Sequence, residues 1–353
     1  MTIDDIRTNA RERLRGLCGV YKECDGSPSR LCQGHSYGSP IGIGAAGTGS
    51  SFANNVEALA AVRFNMRVIG NHFVPDTSTM LFGQKVSMPV YGAPVTGVDS
   101  FGGEGVITEE AFCRATVNGC KEAGTIGWRG DVHTYSLGKL LGIEAIKRAG
   151  GWGIKISKPR DQKTIKKILK RAEEAGVLAV GVDVDGCGSH NMDLSRISIY
   201  RKSADELRDL VESVKLPFVI KGLMSPYDAE AAIRAGAAAI VVSNHGGRVL
   251  DHTPGTADVL PEIVRAVKGD ISILADGGVR TGYDVLKMLA LGAEGVLVGR
   301  DIIRAAVGGG EDGVRSHMEY LKETLTKAML MTGCRDIRSI SKEILYNGQV
   351  RRP

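Results

Sequence analysis

The apolar run AIVVSN, residues 239–244, stops at a group of chemically able side chains: Ser243, Asn244, His245, two glycines, then Arg248. An unperturbed imidazole titrates near pH ~6.5 and suits proton removal, while a guanidinium offers a flat fork to a carboxylate. Together they suit a substrate that must lose a proton while its carboxylate is held. The same residues also fit a structural histidine and a surface arginine in a tight turn, so neighbouring strand ends have to decide. VDVDG, residues 182–186, places Asp183 and Asp185 on one side of a strand by its period of two. Asp183 is expected beside His245, fixing its tautomer and stabilising the imidazolium; Asp185 is equally explained as a capping or loop residue. Lys221, in VIKGL, follows apolar residues and calls for a partner. That partner is an anion or an electron-rich ring; a Schiff-base lysine or a plain ion pair fits as well.

Two further strand ends carry a different chemistry. ADGGVR (275–280) and VGRD (298–301) combine consecutive glycines, which expose backbone N–H groups, with Arg280 and Arg300. Helices begin just beyond both, and such helix starts hold phosphate.

These ends need a frame that gathers them. From about residue 86 the chain alternates short Val/Ile-rich runs with amphipathic stretches, the rhythm of a parallel α/β fold. The runs are 88–94, 124–130, 151–157, 178–184, 218–223, 239–244, 272–278 and 295–300. Between two of them, Ile165, Ile168, Leu169 and Ala172 form one apolar helical stripe. Another helix is expected to start at Ser225 and Pro226 and to end at Gly236. Eight strand–helix units over some 240 residues predict a (β/α)8 barrel, the TIM-barrel class, whose chemistry gathers at the C-terminal strand ends. The division expected is a helix and Gly/Cys-rich cap over residues 1–85, the barrel over 86–340 and a tail over 341–353.

Composition agrees with such a frame. Of 353 residues 43% are hydrophobic and 24% charged, and no apolar run approaches the length of a membrane span. The first residues lack the apolar core of a secretory signal, which makes the cytoplasm the expected compartment. A net charge of +5, with both signs interspersed, gives no reason to expect nucleic acid as a partner. Seven cysteines at uneven spacing fit reduced thiols better than a disulfide framework.

Two near-motifs compete for attention. IGIGAAG, residues 41–47, has the glycine spacing of a dinucleotide fingerprint, but turn-forming residues flank it on both sides where a strand and a helix are required, so the match is read as accidental. Cys18, Cys24 and Cys32 lie near His35, but their spacings of six and eight do not match paired zinc ligands, and no metal is expected there.

With these residues in hand, the chain resembles the FMN-dependent 2-hydroxy acid oxidases and dehydrogenases over roughly residues 74–340. IKGL, SNHGGR, LADGGVR and VGR follow that family's order and spacing. The resemblance implies FMN as cofactor, a small carboxylate substrate and a homo-oligomer, a tetramer in relatives. It implies His245 as base, Asp183 as its partner, Arg248 as carboxylate ligand and Lys221 at the flavin N1 and O2 edge. It implies Pro94, Val95 and Thr96 against the ring with Ser243, and Asp276, Gly277, Gly278, Arg280, Gly299 and Arg300 around the phosphate and ribityl chain. Trp128 falls where relatives carry an active-site tryptophan.

The departures lie on the substrate side. Lys155 stands at the family's strand-three tyrosine and Gly153 at its glutamine, GCGSHNM replaces a segment with a second carboxylate-binding arginine, and Tyr21 and Tyr37 are only loosely placed for another tyrosine. Lys155 is read either as a replacement cation or proton donor, or as a buried lysine paired with Asp185. Residues 185–202, with Cys187, His190 and Tyr200, are long enough for a lid. An FMN enzyme acting on another substrate class remains the alternative.

Overall fold

The computed structural model describes residues 1–14, 45–131, 140–189, 192 and 196–346. The cysteine cluster with His35, the two tyrosines, most of the glycine fingerprint and His190 lie outside these residues.

Eight parallel strands form the frame: β3 (Val90–Gly92), β4 (Trp128–Arg129), β5 (Ile154–Ser157), β6 (Ala179–Asp183), β7 (Phe218–Leu223), β8 (Ala239–Val242), β9 (Ser272–Ala275) and β10 (Gly295–Val298). β10 pairs back onto β3, and a parallel bridge between Gly92 and Gly127 joins β3 to β4, closing the expected barrel. At that seam the sequence needs glycines. A Cβ at Gly127 would stand 2.5 Å from the Thr116 carbonyl oxygen, and one at Gly92 2.9 Å from the Cys120 sulfur.

All eight expected runs contain a strand, which fills the run at β7 and is shorter than it in the other seven. Ladder pairing stops where the chain turns outward into the loops that carry the polar residues. An antiparallel hairpin, β1 (Thr79–Leu81) with β2 (Gln84–Val86), sends Leu81 and Val86 into the barrel interior beside Trp152 and Leu178, which precede β5 and β6. The N-terminal rim is thereby plugged, leaving the other rim for chemistry.

Alternation along the strands divides the core in two. Tyr91, Trp128, Ile154, Ile156, Val219, Val241, Leu274 and Leu297 fill the interior. Their neighbours in sequence, such as Val90, Val180, Ile220 and Val242, pack outward against the helices.

The helical layer follows from capping and stripes. In α5 (Gln162–Glu174) the Asp161 carboxylate accepts the Thr164 N–H at 2.9 Å, and Ile165, Ile168, Leu169 and Ala172 are the buried face. Ser225 caps α7 (Pro226–Arg234) with Pro226 in its first turn, as expected. Among the described residues the remaining α-helices are α1 (Ile3–Arg13), α2 (Ser50–Ala61), α3 (Glu109–Glu122), α4 (Leu141–Arg148), α6 (Ala204–Glu212), α8 (Thr256–Val267), α9 (Gly282–Ala290) and α10 (Arg300–Thr332), the last broken at Gly310. α1 packs on α10, and α2 approaches α8 beside the β8 loop. No helix among the described residues is long and apolar enough to cross a membrane.

Candidate active site

The C-terminal rim surrounds a cavity of about 1350 Å³ including its open mouth. Its wall contains Pro94, Val95, Thr96, Asp183, Lys221, His245, Arg248, Asp276, Gly277, Gly278, Arg280, Gly299 and Arg300. One barrel end therefore gathers thirteen of the fifteen residues singled out in the sequence. Ser243 lies just behind the wall, fully buried, its hydroxyl accepting from Lys221 Nζ at 2.8 Å and from the His245 backbone N–H at 3.0 Å.

Lys155 is not among the wall residues. On β5 the even positions Ile154 and Ile156 face the interior, so Lys155 faces the helices and is 2% exposed. Its ammonium is held by the Asp131 carboxylate, by the Gly130 carbonyl at 2.7 Å and by the Ile156 carbonyl at 3.0 Å. Its partner is Asp131 and not Asp185. Trp128 is likewise sealed in the barrel interior, away from the cavity wall.

The cation that β5 delivers to the mouth is Lys158, three residues on. Asp131 pins the Lys158 backbone N–H at 2.9 Å, and Lys158 Nζ meets Asp183 Oδ2 at 2.6 Å. Gly186 leaves room for it, since a Cβ there would lie 3.0 Å from Lys158 Cδ. Its signal in the sequence was position: KISKPR puts Lys158, not Lys155, just past the strand end, where this fold keeps its chemistry. Phe52 was also missed. It enters the wall from α2, and the Arg300 guanidinium lies 4.2 Å from its ring centroid.

Behind the mouth the charges are densely coupled. Lys221 Nζ stands 3.6 Å from Asp183 Oδ1 and 3.4 Å from Asp276 Oδ2. Burial works against its charge, but Asp276, Asp183 and Asp185 outweigh that and raise its pKa. Burial would lift Asp183 too, yet His245, Lys158 and Lys221 hold it well below the ordinary carboxylate range. Asp185 goes the other way: burial first, then the neighbouring Asp183 charge, pushes it up to about 6. His245 Nδ1 lies 3.1 Å from Asp185 Oδ1 and 3.4 Å from Asp183 Oδ1. Both aspartates expected on one side of the strand thus reach the imidazole, and the one explained as a loop residue is the nearer.

At the opposite end the wall suits a phosphate and a hydroxylated chain. Arg280, Arg300 and Arg304 line it, and α10 starts there. Gly277 and Gly278 hold φ of 105° and 77°, and a Cβ at Gly277 would lie 2.4 Å from Thr256 Oγ1. Asp276 Oδ1 is buried with no hydrogen-bond partner, an acceptor suited to a ribityl hydroxyl. These residues fit FMN.

The family model described as FMN-dependent dehydrogenase matches residues 42–197 and 189–347. The chain is 33% identical over 335 residues to 2-hydroxyacid oxidase 1 of Mus musculus, covering 84% of this chain and 88% of that one. Glycolate oxidase 3 of Arabidopsis thaliana is 33% identical over 328 residues, with 82% and 85% covered. L-lactate dehydrogenase of Chromohalobacter salexigens is 32% identical over 352 residues, with 83% and 87% covered. A mandelate oxidase variant solved with 2-hydroxy-phenylacetamide superposes with a TM-score of 0.77 at 30% identity, over 98% of this chain and 97% of that one. Another, solved with an FMN adduct, gives 0.74 at 28% identity, over 97% and 98%. A barrel-end pocket whose residues fit FMN, a family model matched over most of the chain and relatives alike over most of their length place this chain in the FMN-dependent dehydrogenase family, as a flavoenzyme that uses FMN.

Proposed function

We propose that this enzyme oxidises the α-carbon of a small 2-hydroxy acid to the 2-oxo acid. The observation that carries the reading is His245, its Nδ1 on a carboxylate, in the wall of the same cavity as Arg248 and the phosphate cradle. FMN, when bound, supplies the acceptor for two electrons and the α-hydrogen. Pro94, Val95, Thr96 and Lys221 would hold its ring end, with Ser243 behind them, and Asp276, Gly277, Gly278, Arg280, Gly299 and Arg300 its ribityl phosphate.

His245 takes the hydroxyl proton at Nε2, because Nδ1 is the nitrogen committed to the aspartates. Arg248 holds the substrate carboxylate. Lys158 is the second cation at the mouth, in the role first read for Lys155, and Asp183 keeps its amine in place. Lys221 balances negative charge at the buried end of the cavity.

The N-terminal segment contributes Phe52 to the wall, and the barrel carries the rest of the site. We take the enzyme as a cytoplasmic homo-oligomer without nucleic-acid or membrane partners, on its resemblance to tetrameric relatives; light scattering measures the subunit number. The test of the reaction is anaerobic mixing of the holoenzyme with a panel of 2-hydroxy acids. A substrate bleaches the visible flavin band, and His245→Ala abolishes the bleaching. If no acid of the panel bleaches the band, the reading fails.

A further inference from the structure

We propose that Asp185, and not Asp183, is the residue that positions His245, leaving Asp183 to hold the two lysines of the mouth. The inference rests on the proton-removing role given to His245 above.

Asp183 already has cations on both oxygens. Oδ2 meets Lys158 Nζ at 2.6 Å, and Oδ1 faces Lys221 Nζ at 3.6 Å, with His245 Nδ1 at 3.4 Å, longer than the 3.1 Å from Nδ1 to Asp185. Among the described residues, the one ion-pair contact of Asp185 is His245 Nδ1 at 3.1 Å. Nδ1–H donates to Asp185 Oδ1, which leaves Nε2 as the basic nitrogen.

The fold reserves space for this contact. β7 carries an irregularity between Lys221 and Leu223, and Gly222 sits there at φ 100°. A Cβ on Gly222 would lie 2.3 Å from Asp185 Cγ, so any side chain would drive the carboxyl off the imidazole. His245 is itself left-handed, at φ 58°, with its N–H tied to Ser243 Oγ at 3.0 Å. Both members of the pair are thus held by backbone geometry that ordinary residues avoid. Asp185 Oδ2 is buried without a hydrogen-bond partner. Burial and the neighbouring Asp183 charge make Asp185 a weaker acid than an ordinary carboxyl, and its Oδ1 is the oxygen facing Nδ1.

The experiment compares Asp185→Asn, Asp183→Asn and Asp185→Glu in the FMN-loaded protein, with FMN content and melting temperature confirming folding. Nitrogen-15 NMR of labelled histidines, with His245 assigned from the His245→Ala spectrum, reads the tautomer directly. Asp185→Asn is expected to remove the Nδ1–H tautomer as the dominant form. It should also slow anaerobic flavin bleaching on the order of 100-fold at saturating acid, with half-saturation within about twofold of wild type. Asp183→Asn should keep the tautomer and raise half-saturation instead, by releasing Lys158. Asp185→Glu, which keeps the charge, should retain the tautomer, and it decides the matter if the Asn variant does not fold. A lost tautomer in Asp183→Asn with an unchanged one in Asp185→Asn overturns the proposal. If no hydroxy acid reduces the flavin, the substrate reading fails while the NMR result still decides which aspartate positions His245.

Discussion

From β7 round to β3 the cavity wall is built largely by short stretches of chain in which glycines, an aspartate and arginines lie close in sequence. From β4 to β6 it is built by side chains that meet only across strands. On the first side Gly277, Gly278 and Gly299 stand within a few residues of Asp276, Arg280 and Arg300, so each part of the cradle is local in sequence. On the second side Asp131 reaches Lys155 and Lys158, Lys158 reaches Asp183, and Asp185 reaches His245, with partners 24 to 60 residues apart. A locally made site survives small changes of register, whereas a cross-strand site changes its members with every slip. That difference parallels the sequence reading, in which the resemblance runs through the glycine–arginine strand ends and the departures lie on the other side.

The comparison can be broken at several points. The largest effect is expected where the sides meet: His245→Ala should lower the rate of flavin bleaching by about 10²–10⁴-fold while FMN stays bound, measured by anaerobic stopped flow. Loss of FMN in that variant would mean that the two sides are not separable.

Next comes Lys155 against Lys158. Lys155→Met takes the nearest cation from the buried Asp131 carboxylate, leaving it Arg160 at 3.7 Å, and should cost about 3–5 kcal/mol of stability, read as a fall in denaturation midpoint. Lys158→Ala, at the mouth, should cost less stability than Lys155→Met because Lys221 still faces Asp183, and should raise the half-saturating acid concentration about tenfold or more. An inverted result would place β5 one residue out of register.

pH separates the two aspartates. Asp185, raised to about 6 from an ordinary 3.8, binds its proton more tightly in the folded state. Its contribution to stability is therefore complete below pH ~4 and is lost as pH rises through ~6, a change of about 3 kcal/mol. Asp183 has the opposite sign, stabilising above pH ~4 and losing that as the medium is acidified. Denaturation of Asp185→Asn and wild type across this window should show the variant gaining on wild type as pH rises. A constant difference would rule out the shift.

The smallest effect concerns the cradle. Arg280→Leu removes one charge-assisted contact to phosphate and should weaken FMN binding by about 10- to 100-fold, with the reduction rate of FMN-saturated protein retained. Fluorescence titration of the apoprotein measures it. A change in substrate half-saturation instead would join the two sides.

Much of this was legible beforehand because strand ends announce themselves. Alternating Val/Ile runs and amphipathic stripes indicated eight units, and glycine pairs beside arginines indicated the phosphate end. The reading of Lys155 went astray because a strand's two faces look alike when both are buried. β5 is buried on every residue, so its apolar pattern carries no sign of which face holds Lys155. Asp185 was hidden for a different reason: its value depends on Gly222, 37 residues later, leaving a space.

By itself the sequence determined the number and order of the strand–helix units, and that the glycine–arginine strand ends and the histidine after β8 lie at one barrel rim, since each follows from neighbours in the chain. Only the tertiary structure decided that Lys158 and not Lys155 reaches the mouth, and that Asp185 lies nearer His245 than Asp183 does. A strand side chain belongs to one face or the other, and a one-residue slip exchanges them. Contacts across strands are therefore settled by how the barrel closes, and no short stretch of residues contains that information.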